Sequence, residues 1–219
     1  SQKNTWRADV IVDTTLSENV GKRNYRDVAL FFQDEDNIIG TAFMPYVQNV
    51  AGLTSVNYRA EPYKFREEQG CSFGKIFQPC AVDKPEDPIT PLIEAHAGDA
   101  IRIHVIGANS EQNGMFGVEG HEWPIEPYMP GADMISVVEY AGSEILDVFI
   151  RGGAGGPYRQ VGDFVWSNAR LPYTQSGQWG YLRVLPTGDS RIQPLSASGA
   201  GARQAEVLPE PQAIPTAMK

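Results

Sequence analysis

The chain is poor in the residues that carry most metal and nucleophilic chemistry: 219 residues include three histidines, His96, His104 and His121, and two cysteines, Cys71 and Cys80. It also lacks any Lys/Arg cluster of the kind that follows a phosphate backbone, and its formal charge is −9 at pH 7 with an isoelectric point near 4.8. A surface of that sign repels nucleic acid and anionic lipid, so neither is expected as a partner. Long apolar runs are missing. Val28–Phe32 is among the longest, far short of the ~20 residues that a membrane-spanning helix needs. No Gly-x-Ser-x-Gly elbow and no Ser/His/Asp signature occurs, which leaves hydrolase chemistry without support.

What is present is punctuation. Glycine (22) and proline (16) are spread through the chain and break it into short β-branched and aromatic segments, the composition of strands and turns rather than helices. Strands are predicted over Ala8–Asp13, Asp27–Phe32, Ala100–Ile106, Gly117–Trp123, Ile135–Tyr140, Glu144–Ile150, Gly162–Trp166 and Tyr181–Leu185. So many short strands at close intervals imply an all-β sandwich or barrel. A single domain of about this length buries about 70% of its unfolded surface, so the fold needs no metal to stand.

Residues 1–187 read as that domain. Within it Glu61–Asp87 holds both cysteines, three prolines and little periodicity, and is predicted to be a long loop. From Thr187 the composition turns to Ser, Ala, Gly and Pro, so 188–219 is expected to be an extended tail, ordered only where it lies on something. The eight residues between Cys71 and Cys80 suit a small disulfide-closed loop better than a metal site or two free thiols, and a disulfide implies an oxidising compartment. Ser1 stands where an initiator Met or a leader would be, which fits either a mature exported protein or a piece of a longer one.

Three features invite a ligand. The acidic run Gln33–Asn37 lacks the spaced oxygens and glycine of a calcium loop and reads as a solvated turn. Arg151–Tyr158 (RGGAGGPY) lacks the Lys-Ser/Thr and the helix of a phosphate cradle and reads as an interstrand loop, either flexible or tightly packed. Glu119, His121 and Glu122 could suggest a site for a harder ion, yet 119 and 121 share one strand face while 122 points to the other, leaving too few ligands.

The run GDAIRIHV at Gly98–Val105 resembles the strand that opens a cupredoxin domain in multicopper oxidases, and RDVALFFQDED (Arg26–Asp36) and NYRAEP (Asn57–Pro62) are similar to segments of large bacterial members. Members of that family carry H-P-F-H-L-H-G-H-E-F, whose first His binds the mononuclear copper and whose next two bind the trinuclear cluster. Here Gly114–Trp123 reads G-M-F-G-V-E-G-H-E-W, which puts Gly114, Gly117 and Glu119 at the ligand positions and His121 at a non-ligand one. A second family segment, H-C-H-I-L-E-H-E-D-N-G-M-M-G, follows a Gly-Asp strand. Here GDFVW is followed without a gap by S-N-A-R-L-P-Y-T-Q-S-G-Q-W-G, so Ser167, Asn168, Ala169, Tyr173 and Gln178 occupy the His, Cys, His, His and Met positions.

The resemblance covers about residues 8–187 and implies a Greek-key cupredoxin-like sandwich with long loops and a C-terminal tail. A blue-copper centre requires a thiolate and two imidazoles, so the substitutions imply no copper or other cofactor in this chain. Tyr173, Gln178 and Trp179 are expected to fill the space a copper site would leave. Copper would then be borne by partner domains or chains of an oxidase-like assembly in the periplasm or outside the cell. The other readings are a secreted stand-alone binding module and direct oxidoreductase activity, which these residues deny.

Overall fold

The computed structural model describes residues 7–12, 23–34, 54–77, 87–109 and 112–195. Two five-stranded sheets face each other. The first takes β1 (Arg7–Val10), β2 (Tyr25–Asp34), β5 (Ile101–Asn109) and β10 (Ile145–Phe149) in that order, with β3 (Thr54–Val56) on β2. The second runs β4 (Ile93–His96), β12 (Trp179–Leu185), β11 (Gly162–Asn168), β6 (Gly114–Val118) and β9 (Val137–Tyr140). A two-stranded ribbon, β7 (Trp123–Pro124) with β8 (Met134–Ile135), links β6 to β9. The β2–β5 and β4–β12 pairs are parallel and all others antiparallel. From β4 to β11 the chain repeatedly crosses from one sheet to the other, an all-β sandwich.

Period-two alternation selects the core. Along β2 the side chains of Val28, Leu30 and Phe32 are buried while their neighbours face outward, and β5 does the same with Ile101, Ile103 and Val105. They meet Phe116, Val118, Trp166, Leu182 and Val184 of the second sheet. Phe32 sits at the centre, its ring centroid 5.8 Å from Phe116, 5.1 Å from Tyr140 and 6.2 Å from Trp166. Burying such a ring contributes about 1.5–3 kcal/mol, and edge-on aromatic pairing adds ~1 kcal/mol.

The segment predicted as an irregular loop contains a helix, α1 (Tyr63–Glu68), and a 3-10 turn at Phe73–Lys75. Six helical residues are too few to display a period, which is why the sequence hides them. The segment lies over the outer face of the second sheet, where Tyr63, Cys71 and Ile76 pack with Val165, Trp179 and Tyr181 in a second core. Trp179 donates its indole N–H to the Glu61 carbonyl at 2.7 Å, and the Arg66 guanidinium stands 5.1 Å above its ring. The second sheet is thereby buried on both faces at β12. Cys80 lies outside the described residues.

A second correction concerns Gly117–Trp123, predicted as one strand. The strand begins at Gly114, ends at Val118, and resumes at Trp123 after a turn in which Gly120 has φ +67°. That turn points His121 inward. The imidazole Nδ1–H donates to the Glu119 carbonyl at 2.7 Å, and Nε2 accepts the Gly155 N–H at 3.1 Å, so the buried ring is a neutral tautomer. It thus ties down the glycine-rich loop, which is tightly packed: a side chain on Gly153 (φ +78°) would come 2.5 Å from the Asp99 carbonyl oxygen. Glu122 turns outward to pair with Arg151 at 2.5 Å.

One buried guanidinium fastens the opposite edge. Arg26, fully buried on β2, donates to Asp99 at 2.7 Å, to Asp9 of β1 at 2.9 Å and to the Gln193 carbonyl at 2.9 Å. Asp99 also accepts the His96 backbone N–H at 2.8 Å, and the His96 ring lies 2.9 Å from the Asp189 carbonyl oxygen. Residues 188–195 are therefore held against β1, β2 and β4, with Ile192 and Leu195 buried. The acidic run Gln33–Asn37 is described through Asp34, the buried last residue of β2.

Burial holds the His121 imidazole below its ordinary value of 6.5, against the smaller upward pull of the Glu119 carbonyl. The unfolded chain takes up that proton at ~6.5, so the stability due to this residue is complete above that pH and is lost as pH falls below it. The gap in unfolding free energy between the protein and His121→Gln, read from urea titrations, is expected to be largest near pH 7.5 and to shrink steadily towards pH 5.

Candidate functional site

Strands β6 and β11 run side by side with Gly117 opposite Ser167 and Phe116 opposite Asn168, and a helix, α2 (Leu171–Gln175), follows β11 at once. Alternation sorts the eight positions singled out in the sequence. Gly114, Asn168, Tyr173 and Gln178 are buried, whereas Gly117 and Ser167 are half-buried and Glu119 and Ala169 exposed. The strand geometry puts Asn168 with Trp166 on the inner side, and Gly117, Glu119 and Ser167 on the outer side with Val165.

The buried group is built around the Asn168 carboxamide. Its Oδ1 accepts the backbone N–H of Met115 and of Arg170, both at 3.1 Å. Its Nδ2 donates to Gln178 Oε1 at 2.7 Å and to the Tyr140 hydroxyl at 3.2 Å. Two acceptor sites and two N–H donors are the whole capacity of a primary amide, and all are used. The Asn168 main chain is equally engaged: its N–H donates to the Gln178 carbonyl at 2.9 Å and its carbonyl accepts the Thr174 hydroxyl.

Gln178 carries the network across the sandwich. Its Nε2 donates to the Gln33 carbonyl of β2 at 2.8 Å and to the Ser55 carbonyl of β3 at 3.3 Å, so a chain of amides joins the two sheets. Tyr140 closes the other side. It is fully buried, and burial pushes its phenol far above the usual range, so it stays a neutral hydroxyl. Its ring fills the space beside Gly114, where any side chain would fall inside the ring. Tyr173, under the Arg170 guanidinium at 5.1 Å, completes the wall.

These atoms do not fit copper. Copper of the blue type requires a thiolate and imidazoles with lone pairs to give. Here the interior offers two amides already engaged with one another and with the Tyr140 phenol, the Tyr173 ring beside them, no imidazole, and no room at Gly114. Among the described residues no three His, Cys, Asp or Glu side chains gather as a metal-binding group. The three histidines lie elsewhere: His121 in the turn after β6 against the glycine-rich loop, His96 beside Arg26, and His104 on the outer face of the first sheet, between Asp27 at 3.0 Å and Asp147 at 2.5 Å.

Sequence reasoning placed Asn168 and Gln178 and missed Tyr140, Gln33 and Ser55. Tyr140 ends a strand without a motif, and the other two contribute backbone carbonyls, which no side-chain pattern can announce.

No family model matches the sequence, and no curated protein matches it at a significant level. Among solved structures the chain is similar to a multicopper oxidase from Aquifex aeolicus (11% identity, 81% of this chain and 31% of that one, TM-score 0.46). It is also similar to a copper-containing nitrite reductase from Thermus scotoductus (15%, 85% and 36%, 0.46) and to a laccase from Botrytis aclada (16%, 84% and 33%, 0.45). The chain spans less than half the length of each.

Replacing Asn168 by Asp keeps the shape and exchanges the donating NH2 for an acceptor that faces Gln178 Oε1. Asn168→Asp is expected to lose about 2–4 kcal/mol at pH 7 and to regain part of it as pH falls towards 5, when the buried carboxyl takes the proton it needs to donate. Chemical denaturation at the two pH values checks the sign.

Proposed function

We propose that the chain is a copper-free cupredoxin domain or subunit of a multicopper-oxidase-like assembly, in which other domains or chains bear the copper and this one supplies shape and contacts. The observation that carries the reading is the Asn168 amide: it stands in register with the family's cysteine and has every polar atom spent on protein. Gly114, Tyr173 and Gln178, in register with other ligands of that family, are buried in the same region. Gly117 and Glu119, in register with ligands of the cluster that such oxidases build between domains, lie on the other face with Ser167. A neighbouring domain would meet this one there.

The same reading includes a Cys71–Cys80 disulfide and a periplasmic or extracellular location. Cys71 is buried in the second core, and no described cysteine is free. The segment it belongs to covers Trp179, so the cross-link would hold that cover in place.

Native mass spectrometry of material purified from its source, with metal content per chain, is expected to find this chain joined to a copper-bearing one. The double variant Glu119→Arg, Ala169→Arg changes two exposed positions and should leave unfolding within about 0.5 kcal/mol while releasing the partner. A monodisperse monomer in the native material would favour the stand-alone binding module. Copper-dependent oxidase activity in the isolated chain would overturn the reading.

A further inference from the structure

The second sheet is covered over only part of its outer face. Tyr63, Cys71 and Ile76 pack on Val165 of β11 and on Trp179 and Tyr181 of β12. The outer side of β6 and β9 stays open, with Met115 38% and Val137 37% exposed. Strand register puts Met115 and Gly117 of β6, Val137 and Glu139 of β9 and Ser167 of β11 on that side. Gly117 has no side chain to raise the surface, and one placed there would come 3.2 Å from a Val137 methyl. The result is a shallow apolar step bordered by Met115 and Val137.

A carboxylate stands at each end of the step. Glu139 is opposite Met115, and Glu119 follows Gly117 on the same side of β6. Both are exposed, and among the described residues neither has an arginine or lysine partner. Glu139 accepts only the Asn113 side-chain amide, at 2.9 Å. Arg170, which also reaches Asn113, spends its guanidinium on the Asn113 carbonyl and the Gln112 side chain. Other acidic groups of this sheet and its turns are matched, Glu122 by Arg151 and Asp163 by Arg183. The open part of the face therefore carries uncompensated negative charge around an apolar centre. Strand positions four residues apart, as 115 and 119 are, lie about 13 Å from one another. That span is too wide for a single ion and requires a surface that supplies two cations. A second copy of this chain brings the same charge of −9 and is repelled.

We infer that this face docks the copper-bearing partner through a basic contact surface. An apolar side chain of the partner seats at Gly117 beside Met115 and Val137, and a lysine or arginine meets each of Glu119 and Glu139. The inference rests on the assembly reading above and adds the chemistry of the surface that the partner must present. Burial at the centre supplies affinity, while the charges at the rim select the partner and speed its approach.

The test is a competition for the partner recovered from the native complex. Unchanged chain and the double variant Glu119→Gln, Glu139→Gln are mixed with it in equal amounts, and native mass spectrometry reads the ratio taken up. The variant keeps the shape and loses the charge, so at low salt it is expected to be taken up about tenfold less. At ~1 M salt, where charges are screened beyond about 3 Å, the two should be taken up alike. Met115→Gln, which removes apolar contact and no charge, should be taken up less at both salt concentrations. Urea unfolding midpoints of these variants are expected to match that of the unchanged chain, since all three positions are exposed. The inference is overturned if the double variant competes equally at low salt, if its deficit is undiminished at ~1 M, or if Met115→Gln competes equally. A complex that persists through those results leaves the assembly reading standing. Native material without any copper-bearing partner, or with this chain paired only to itself, ends both.

Discussion

A buried primary amide with four partners is the constraint on which the middle of this sandwich depends. Asn168 is 1% exposed, and every hydrogen-bonding site it owns is matched by an atom whose position another element fixes: Met115 on β6, Arg170 at the head of α2, Tyr140 on β9, and Gln178 before β12. Gln178 passes the constraint to the Gln33 and Ser55 carbonyls of the opposite sheet. Such a network stabilises only when complete, because each orphaned buried polar atom costs about 1–3 kcal/mol. Here completeness leaves none of the Asn168 side-chain polar atoms to be satisfied by a metal at the place where the resemblance would put one.

Two other polar anchors have the same logic at the periphery. Arg26 gathers Asp9, Asp99 and Gln193 and so ties the first strand, the turn before β5 and the last described residues to one guanidinium. His121 binds the turn after β6 to the glycine-rich loop. Between these anchors the aromatic cluster around Phe32 fills the space where the sheets meet. The wall at Asn168 is closed by the Tyr140 ring and Gln178, and Trp179 points to the outer core instead, so of the three residues expected to fill a copper-sized space it is Gln178 and Tyr173 that border the network.

Much of this was legible. The alternation in Val28–Phe32 and Ile101–Val105 gave both central strands of the first sheet, and the continuous register from Gly162 to Gly180 named Asn168 and Gln178 before any contact was known. The limits are physical too. The break at Gly120 was hidden because the residues on either side keep an apolar pattern, and α1 was hidden because six residues make fewer than two turns. Strand β4 was missed because Ile93–His96 begins two residues after Pro91 and is four residues long. The partners of Gln178 are main-chain carbonyls, and only the fold brings them near. The Asp27–His104–Asp147 row needed the β2–β5–β10 register, which no local pattern contains.

Hydrogen bonds within the protein satisfy the buried amides of Asn168 and Gln178 and leave them no lone pair for a metal. The most direct measurement is the copper content of the full chain by mass spectrometry after exposure to excess Cu(I) and Cu(II) and gel filtration, together with its visible spectrum. Copper far below one per chain and no thiolate-to-copper band are expected. One copper retained per chain, and lost in Asn168→Ala, would contradict it.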